Sequence, residues 1–92
     1  MAPAVEHEDG RFVLRVEGEE ATLVYERRSD LMDVLHTWTP PRLRGRDLAA
    51  RLTEAAFAWA RAEGLRVVPT CSYTRAGVAR HPEVASQVAE RC

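Results

Sequence analysis

The chain has 92 residues, a length that suits one small domain. Hydrophobic residues make up 46% of it and charged residues 29%, a balance that is typical of a folded protein and excludes a disordered one. The formal net charge of −1 argues against a general binder of nucleic acid or of membrane surfaces, and the apolar runs are too short to span a membrane.

The first ten residues differ from the rest of the chain. Residues 1–10 form a polar leader that lacks the apolar stretch of a signal peptide. We therefore expect a cytoplasmic protein with one domain in residues 11–92. The chain has two cysteines, and in that compartment we expect no disulfide between them.

Three β-strands are predicted next along the chain, at 11–16, 21–28 and 31–38. The first two are rich in β-forming residues and flank a glycine-containing turn, which predicts a hairpin. Two prolines follow the third strand and end it, because proline cannot donate to a sheet ladder. Alternation along this third strand places four side chains on one face: Met32, Val34, His36 and Trp38.

The pattern then changes to a helical period. Apolar residues recur at three- and four-residue steps and predict an amphipathic helix over about 46–63, with Gly64 in the usual place for a helix end. A short strand at 66–70, a weaker helix at 72–80 and a last turn or short helix at 83–89 follow. The order β-β-β-α-β-α predicts an α+β fold, with helices packed on a mixed, mostly antiparallel sheet and a right-handed crossover.

An arginine-rich loop precedes the long helix. It reads Arg42-Leu43-Arg44-Gly45-Arg46-Asp47. The unpaired N–H groups of a helix N-terminus attract anions, and Gly45 lets the backbone approach a ligand closely. The loop therefore predicts a phosphate cradle; the alternative is a solvated loop that only opens the helix.

Three side chains are candidates for chemistry. Cys71 ends the fourth predicted strand and opens a helix, a position that lowers the pKa of a thiol; the alternative is a small buried core residue. His36 is either a general base or a half-buried strand histidine, and Tyr73 either donates a proton or packs against the sheet. The spacing of the histidines and cysteines does not suit a metal site, so we expect no metal.

Six segments occur together in this order: 12–25, His36-Thr37-Trp38-Thr39-Pro40, Leu43-Arg44-Gly45-Arg46-Asp47-Leu48-Ala49, Ala60-Arg61-Ala62-Glu63-Gly64-Leu65, Pro69-Thr70-Cys71-Ser72-Tyr73 and Arg80-His81-Pro82-Glu83. Their order and spacing resemble the small stand-alone domains of the GCN5-related N-acetyltransferase superfamily, over about residues 11–85. The chain departs from that pattern at Asp47, where the family loop has Gly or Ala, and at Gly77, where an aromatic residue is expected.

The resemblance implies a trimmed core of that superfamily with acetyl-CoA or CoA as its cofactor. The implied cofactor contacts are Thr37, Trp38 and Thr39 along the pantetheine arm and Arg42, Leu43, Arg44, Gly45, Arg46, Asp47, Leu48 and Ala49 at the phosphates. Cys71 matches the cysteine suspected of chemistry in this family.

Two functions remain open at this point. The first is an N-acetyltransferase that moves an acetyl group from acetyl-CoA to an unidentified amine, on a small molecule or a protein, without nucleic-acid or membrane partners. The second is a module that binds CoA or acyl-CoA without significant catalysis. A weaker third interpretation, a nucleic-acid binder, rests on the arginines of residues 42–51.

Overall fold

The computed structural model describes residues 4–80 and 87–88, and its strands form a single five-stranded sheet in chain order. The strands are β1 (Glu6–Glu8), β2 (Arg11–Val16), β3 (Glu19–Arg28), β4 (Leu31–Trp38) and β5 (Arg66–Pro69). Neighbouring strands are antiparallel, except that β4 and β5 are parallel. Two helices, α1 (Leu48–Ala62) and α2 (Ser72–Arg80), and a short 3₁₀ helix (Pro41–Leu43) complete the described fold. The predicted α+β class and the mixed, mostly antiparallel sheet are confirmed.

Strand β1 lies where the sequence predicted only a polar leader. It pairs with the start of β2, and its two glutamates bind arginines of that strand. His7 faces the core side, where its ring stacks on Phe12 at a centroid distance of 4.1 Å and its Nε2 lies 2.5 Å from the Tyr25 hydroxyl. These partners of His7 belong to β2 and β3, so the local sequence of residues 1–10 does not indicate that a strand forms there.

Helix α1 forms because its apolar residues share one stripe, which packs on β2, β3, β4 and β5. The buried side chains of this stripe are Leu48, Leu52, Ala56, Phe57 and Ala60. They meet the buried face of the sheet, which includes Leu14, Leu23 and Val34. The helix ends where Gly64 takes a left-handed φ of +71°, a conformation that glycine adopts at little cost.

A bulge interrupts β4 at Leu35. Tyr25 pairs with Val34 and Val24 pairs with His36, so Leu35 has no partner on β3. The extra residue reverses the alternation: Thr37, rather than His36, continues the face of Val34. The prediction that His36 and Trp38 share a face with Met32 and Val34 is therefore wrong, because strict alternation does not foresee an inserted residue.

Strand β5 and helix α2 follow α1 as predicted. Helix α2 packs against β4 and β5. The predicted turn or short helix at 83–89 lies outside the described residues except for Gln87 and Val88, and Val88 forms an isolated parallel bridge with Val67. None of the described helices is long and apolar enough to cross a membrane.

Candidate functional site

A groove of about 360 Å³ runs between the C-terminal half of β4 and the start of α1. Its lining combines residues from β4, the connecting loop, the first turn of α1 and the start of α2. The residues are Thr37, Trp38, Thr39, Leu43, Arg44, Gly45, Asp47, Leu48, Ala49 and Tyr73. Trp38 and Tyr73 are 44% and 37% exposed, so two aromatic rings face solvent at this groove. Most of the predicted site residues therefore converge on one concave surface.

One wall of the groove is a strand edge that has no neighbour among the described strands. Pairing of β4 with β5 covers only Leu31–Val34, and the Cys71 N–H closes it by donating to the Val34 carbonyl at 2.8 Å. Beyond that point the two strands separate, and no described strand pairs with the outer edge of residues 35–38. Peptide groups on such an edge are available to hydrogen-bond an extended ligand.

The other wall is the loop that leads into α1. Gly45 and Asp47 both have left-handed backbone angles, with φ of +86° and +60°. Asp47 immediately precedes the helix and its side chain makes no capping hydrogen bond, although its carbonyl accepts from the Arg51 N–H at 3.1 Å. The helix therefore begins at Leu48, two residues later than predicted, and its first N–H groups stay available to an anion.

The left-handed angle at Asp47 also accounts for the departure from the family pattern. Glycine adopts this conformation without steric cost, and aspartate is among the few other residues that tolerate it. Asp47 therefore keeps the shape of the loop but adds a negative charge beside the groove.

The three arginines of the loop have different environments. Arg44 lines the groove, donates from Nε to the Thr39 carbonyl at 3.0 Å, and places its guanidinium 5.1 Å from the centre of the Trp38 ring. Arg42 and Arg46 lie outside the groove lining and pair with Glu17 of the β2–β3 turn, and Arg42 also pairs with Glu19 at the start of β3. Only one of the three thus faces the groove directly.

Cys71 lies where β4 and β5 separate. Its sulfur is 3.4 Å from the hydroxyl of Thr37, a groove-lining residue. Burial raises the pKa of the Cys71 thiol, but hydrogen bonds from the Thr37 hydroxyl and from the Thr74 and Tyr73 N–H groups outweigh it, so the pKa falls below its usual range. The thiol is therefore a partly activated group, one hydrogen bond away from the groove.

Of the other two candidates for chemistry, one lines the groove and the other does not. Tyr73 lines the groove. His36 is exposed, pairs with Val24 on the face opposite Val34, and does not line the groove. The bulge at Leu35 places it there.

Three residues near the site were not predicted from the sequence. Thr74 is fully buried and its hydroxyl forms no well-aligned hydrogen bond among the described residues. It follows Cys71 by three residues, a spacing that places both on one helix face and could have revealed it. Glu17 in the β2–β3 turn and Glu19 at the start of β3 reach the loop from a distant part of the chain, and no local pattern indicates this.

Comparison with known proteins agrees with this geometry. A family model described as GCN5-related N-acetyl-transferase matches residues 11–88. The chain is 36% identical to "Protein NATD1" of Bos taurus over 83 residues, which cover 85% of this chain and 74% of that protein. It is 35% identical to the proteins of that name from Danio rerio and Homo sapiens, again over 85% of this chain and over 76% and 74% of theirs. The chain belongs to the GCN5-related N-acetyltransferase family.

Proposed function

We propose that this member of the GCN5-related N-acetyltransferase family binds acetyl-CoA in the groove and transfers its acetyl group to an amine. One observation carries the proposal: a strand edge with which no described strand pairs and a helix N-terminus without a side-chain cap line the same groove. The first suits an extended amide-containing arm, and the second suits phosphate. CoA joins these two chemical features in one molecule.

The phosphate end of the cofactor would lie against the loop and the first turn of α1. The helix N-terminus carries about half a positive charge, and its free N–H groups point outward. A Cβ built on Gly45 would meet no atom within 4 Å, so the loop leaves open space beside its backbone. Among the described residues, Arg44 adds the one guanidinium that lines the groove.

The pantetheine end would follow residues 35–38 toward the point where β4 and β5 separate. Amides of the arm would pair with the open strand edge as an added strand does. This direction leads to Thr37 and to the Cys71 thiol beyond it.

When bound, acetyl-CoA supplies an activated acetyl thioester. Transfer also needs a proton for the departing CoA sulfur and hydrogen bonds for the oxygen that becomes negative. Peptide N–H groups of the β4 edge can donate to that oxygen. The Cys71 thiol or the Tyr73 hydroxyl can donate that proton to the departing CoA sulfur. In a covalent route, a Cys71 thiolate would take the acetyl group as the bond from the acetyl carbon to the CoA sulfur breaks, and would then pass it to the amine.

A second candidate function, binding of CoA or acyl-CoA without turnover, is favoured by the groove lining. Among the described lining residues there is no histidine or glutamate, and Asp47 is the only carboxylate. Deprotonation of the amine would therefore depend on water or on the acceptor itself, which favours slow catalysis or none.

Calorimetry with CoA and acetyl-CoA, followed by release of free thiol from acetyl-CoA in the presence of a panel of amines, tests both functions. Binding with amine-dependent thiol release supports the transferase, and a Cys71→Ala variant should then lose rate more than affinity. Binding without amine-dependent release supports the binding module. If neither CoA nor acetyl-CoA binds, both functions are refuted.

A further inference from the structure

We propose that Glu17, in the turn between β2 and β3, and Glu19, the first residue of β3, act as a built-in anionic competitor for the phosphates of CoA. Their carboxylates bind the guanidinium groups of Arg42 and Arg46, two arginines of the proposed phosphate-binding loop. Full engagement of the phosphates then requires these two arginines to exchange partners. The inference rests on the proposed function and adds regulation of affinity to the same site.

The contacts between the turn and the loop are numerous. Arg42 donates from Nε to Glu19 at 2.7 Å and from Nη1 to Glu17 at 3.2 Å, and its Nη2 also reaches the Glu17 backbone carbonyl at 3.4 Å. Arg46 donates from Nη1 to the second carboxylate oxygen of Glu17 at 3.0 Å. Glu17 thus bridges both arginines through its two oxygens.

The backbone of the turn holds these carboxylates toward the loop. Glu17 and Gly18 have left-handed φ values of +52° and +79°, which make a tight two-residue connection between antiparallel strands. A non-glycine residue rarely adopts such an angle, so the placement of Glu17 at this position carries a conformational cost. A neutral residue there would deprive Arg46 of this negatively charged partner.

Charge explains why this arrangement opposes phosphate binding. The loop itself contributes three positive side chains, Arg42, Arg44 and Arg46, and one negative one, Asp47. Its charge of +2 is balanced by Glu17 and Glu19, which pair with Arg42 and Arg46, so the cluster as a whole is neutral. The hydrogen bond from Arg46 lowers the pKa of Glu17, so this carboxylate stays charged throughout the neutral range.

The same contacts are weak enough to exchange. The paired side chains are 36–58% exposed, and exposed ion pairs contribute little to stability. Phosphate oxygens offer guanidinium a charge-assisted, often bidentate partner. When phosphate approaches the loop, Arg42 and Arg46 can move to it while the two carboxylates remain hydrated.

The test compares CoA binding to the natural chain with binding to Glu17→Gln, Glu19→Gln and the double variant. Glu20→Gln is the matched control, because it removes the same charge one residue away while Glu20 pairs with Arg15 and Arg11 instead of the loop. Calorimetry uses CoA and, as a phosphate-free probe, pantetheine. Thermal unfolding confirms that each variant is folded, and the single variants serve if the double variant does not fold.

We expect the double variant to bind CoA at least about fivefold more tightly at low ionic strength, because two negative charges near the phosphates are gone. The gain should largely disappear near 1 M salt, where the screening length is about 3 Å. Pantetheine binding and the Glu20→Gln control should not change.

Equal or weaker CoA binding by the folded variants would overturn the competitor role and show that the carboxylates only brace the loop. An equal gain for Glu20→Gln would overturn it as well, since the effect would then be one of net charge. If the natural chain does not bind CoA, the proposed function itself fails. The two failures are therefore distinguishable.

Discussion

Asp47 offers the sharpest test of how the loop meets phosphate. Its carboxylate lies at the residue before α1, beside the groove, and caps no N–H group. Asp47→Asn removes the charge while keeping the side-chain size, and Asp47→Gly removes the side chain altogether. Both replacements tolerate the left-handed backbone angle of this position, so both variants should fold.

The size of the effect follows from Coulomb's law. We take a diphosphate at the first turn of α1 to carry about two negative charges and to lie about 8 Å from the Asp47 carboxylate, the length of about one and a half helical turns. In water-like surroundings this repulsion is about 1 kcal/mol without salt, which corresponds to about a fivefold change in Kd. At 0.1 M salt, where the screening length is about 10 Å, about half of that energy remains.

We therefore expect Asp47→Asn and Asp47→Gly to tighten CoA binding by about fivefold at low salt and by about twofold at 0.1 M salt. Loss of a carboxylate near the helix N-terminus should lower the stability of the ligand-free protein by about 0.3–1 kcal/mol in the asparagine variant. Calorimetry at the two salt concentrations and chemical unfolding measure both effects.

Two results would refute this reasoning. Equal affinities of the natural chain and Asp47→Asn at low salt would mean that the carboxylate does not approach the phosphates. A gain in the glycine variant alone would show that the side chain hinders access sterically, because the asparagine variant removes the charge equally well.

Three further predictions concern the glycines and the thiol. Gly45→Ala should weaken CoA binding by about tenfold, because its φ of +86° strains any side chain. Gly64 has a similar φ of +71° but lies away from the groove, so Gly64→Ala should lower stability without changing the affinity for CoA. Calorimetry measures the affinities, and thermal unfolding measures the stabilities. The rate of Cys71 alkylation, followed by peptide mapping, should reach half its maximum at a lower pH than for an ordinary thiol, because the lowered pKa gives more thiolate. Thr37→Val should raise the pH of this midpoint, and an unchanged midpoint would contradict the role of the Thr37 hydroxyl. Gly77→Ala should raise the free energy of unfolding in urea by about 0.5–1 kcal/mol, because alanine favours a helix more than glycine and the added methyl group in the middle of α2 meets no atom within 4 Å. A loss of stability would show that the fold requires glycine at this position.

The sequence alone determined the parts of this protein that depend on local pattern. The apolar period of α1, the hairpin of β2 and β3 and the end of the helix at Gly64 all follow from the preferences of neighbouring residues. The order of motifs also identified the family and predicted cofactor contacts within residues 37–49, most of which line the groove. The helical period, the hairpin and the helix end each depend on residues close together in the chain, and the order of motifs is a property of the sequence itself. Neither requires knowledge of the tertiary structure.

Only the tertiary structure decided which side chains meet. The bulge at Leu35 depends on pairing with β3, and it moves His36 away from the groove and Thr37 toward Cys71. Contacts between Glu17 and Arg46 join residues 29 positions apart, so the positive loop of the sequence becomes a neutral cluster in the fold. Strand register and ion pairing of this kind are set by the global packing of the chain, and no local preference of the residues involved encodes them.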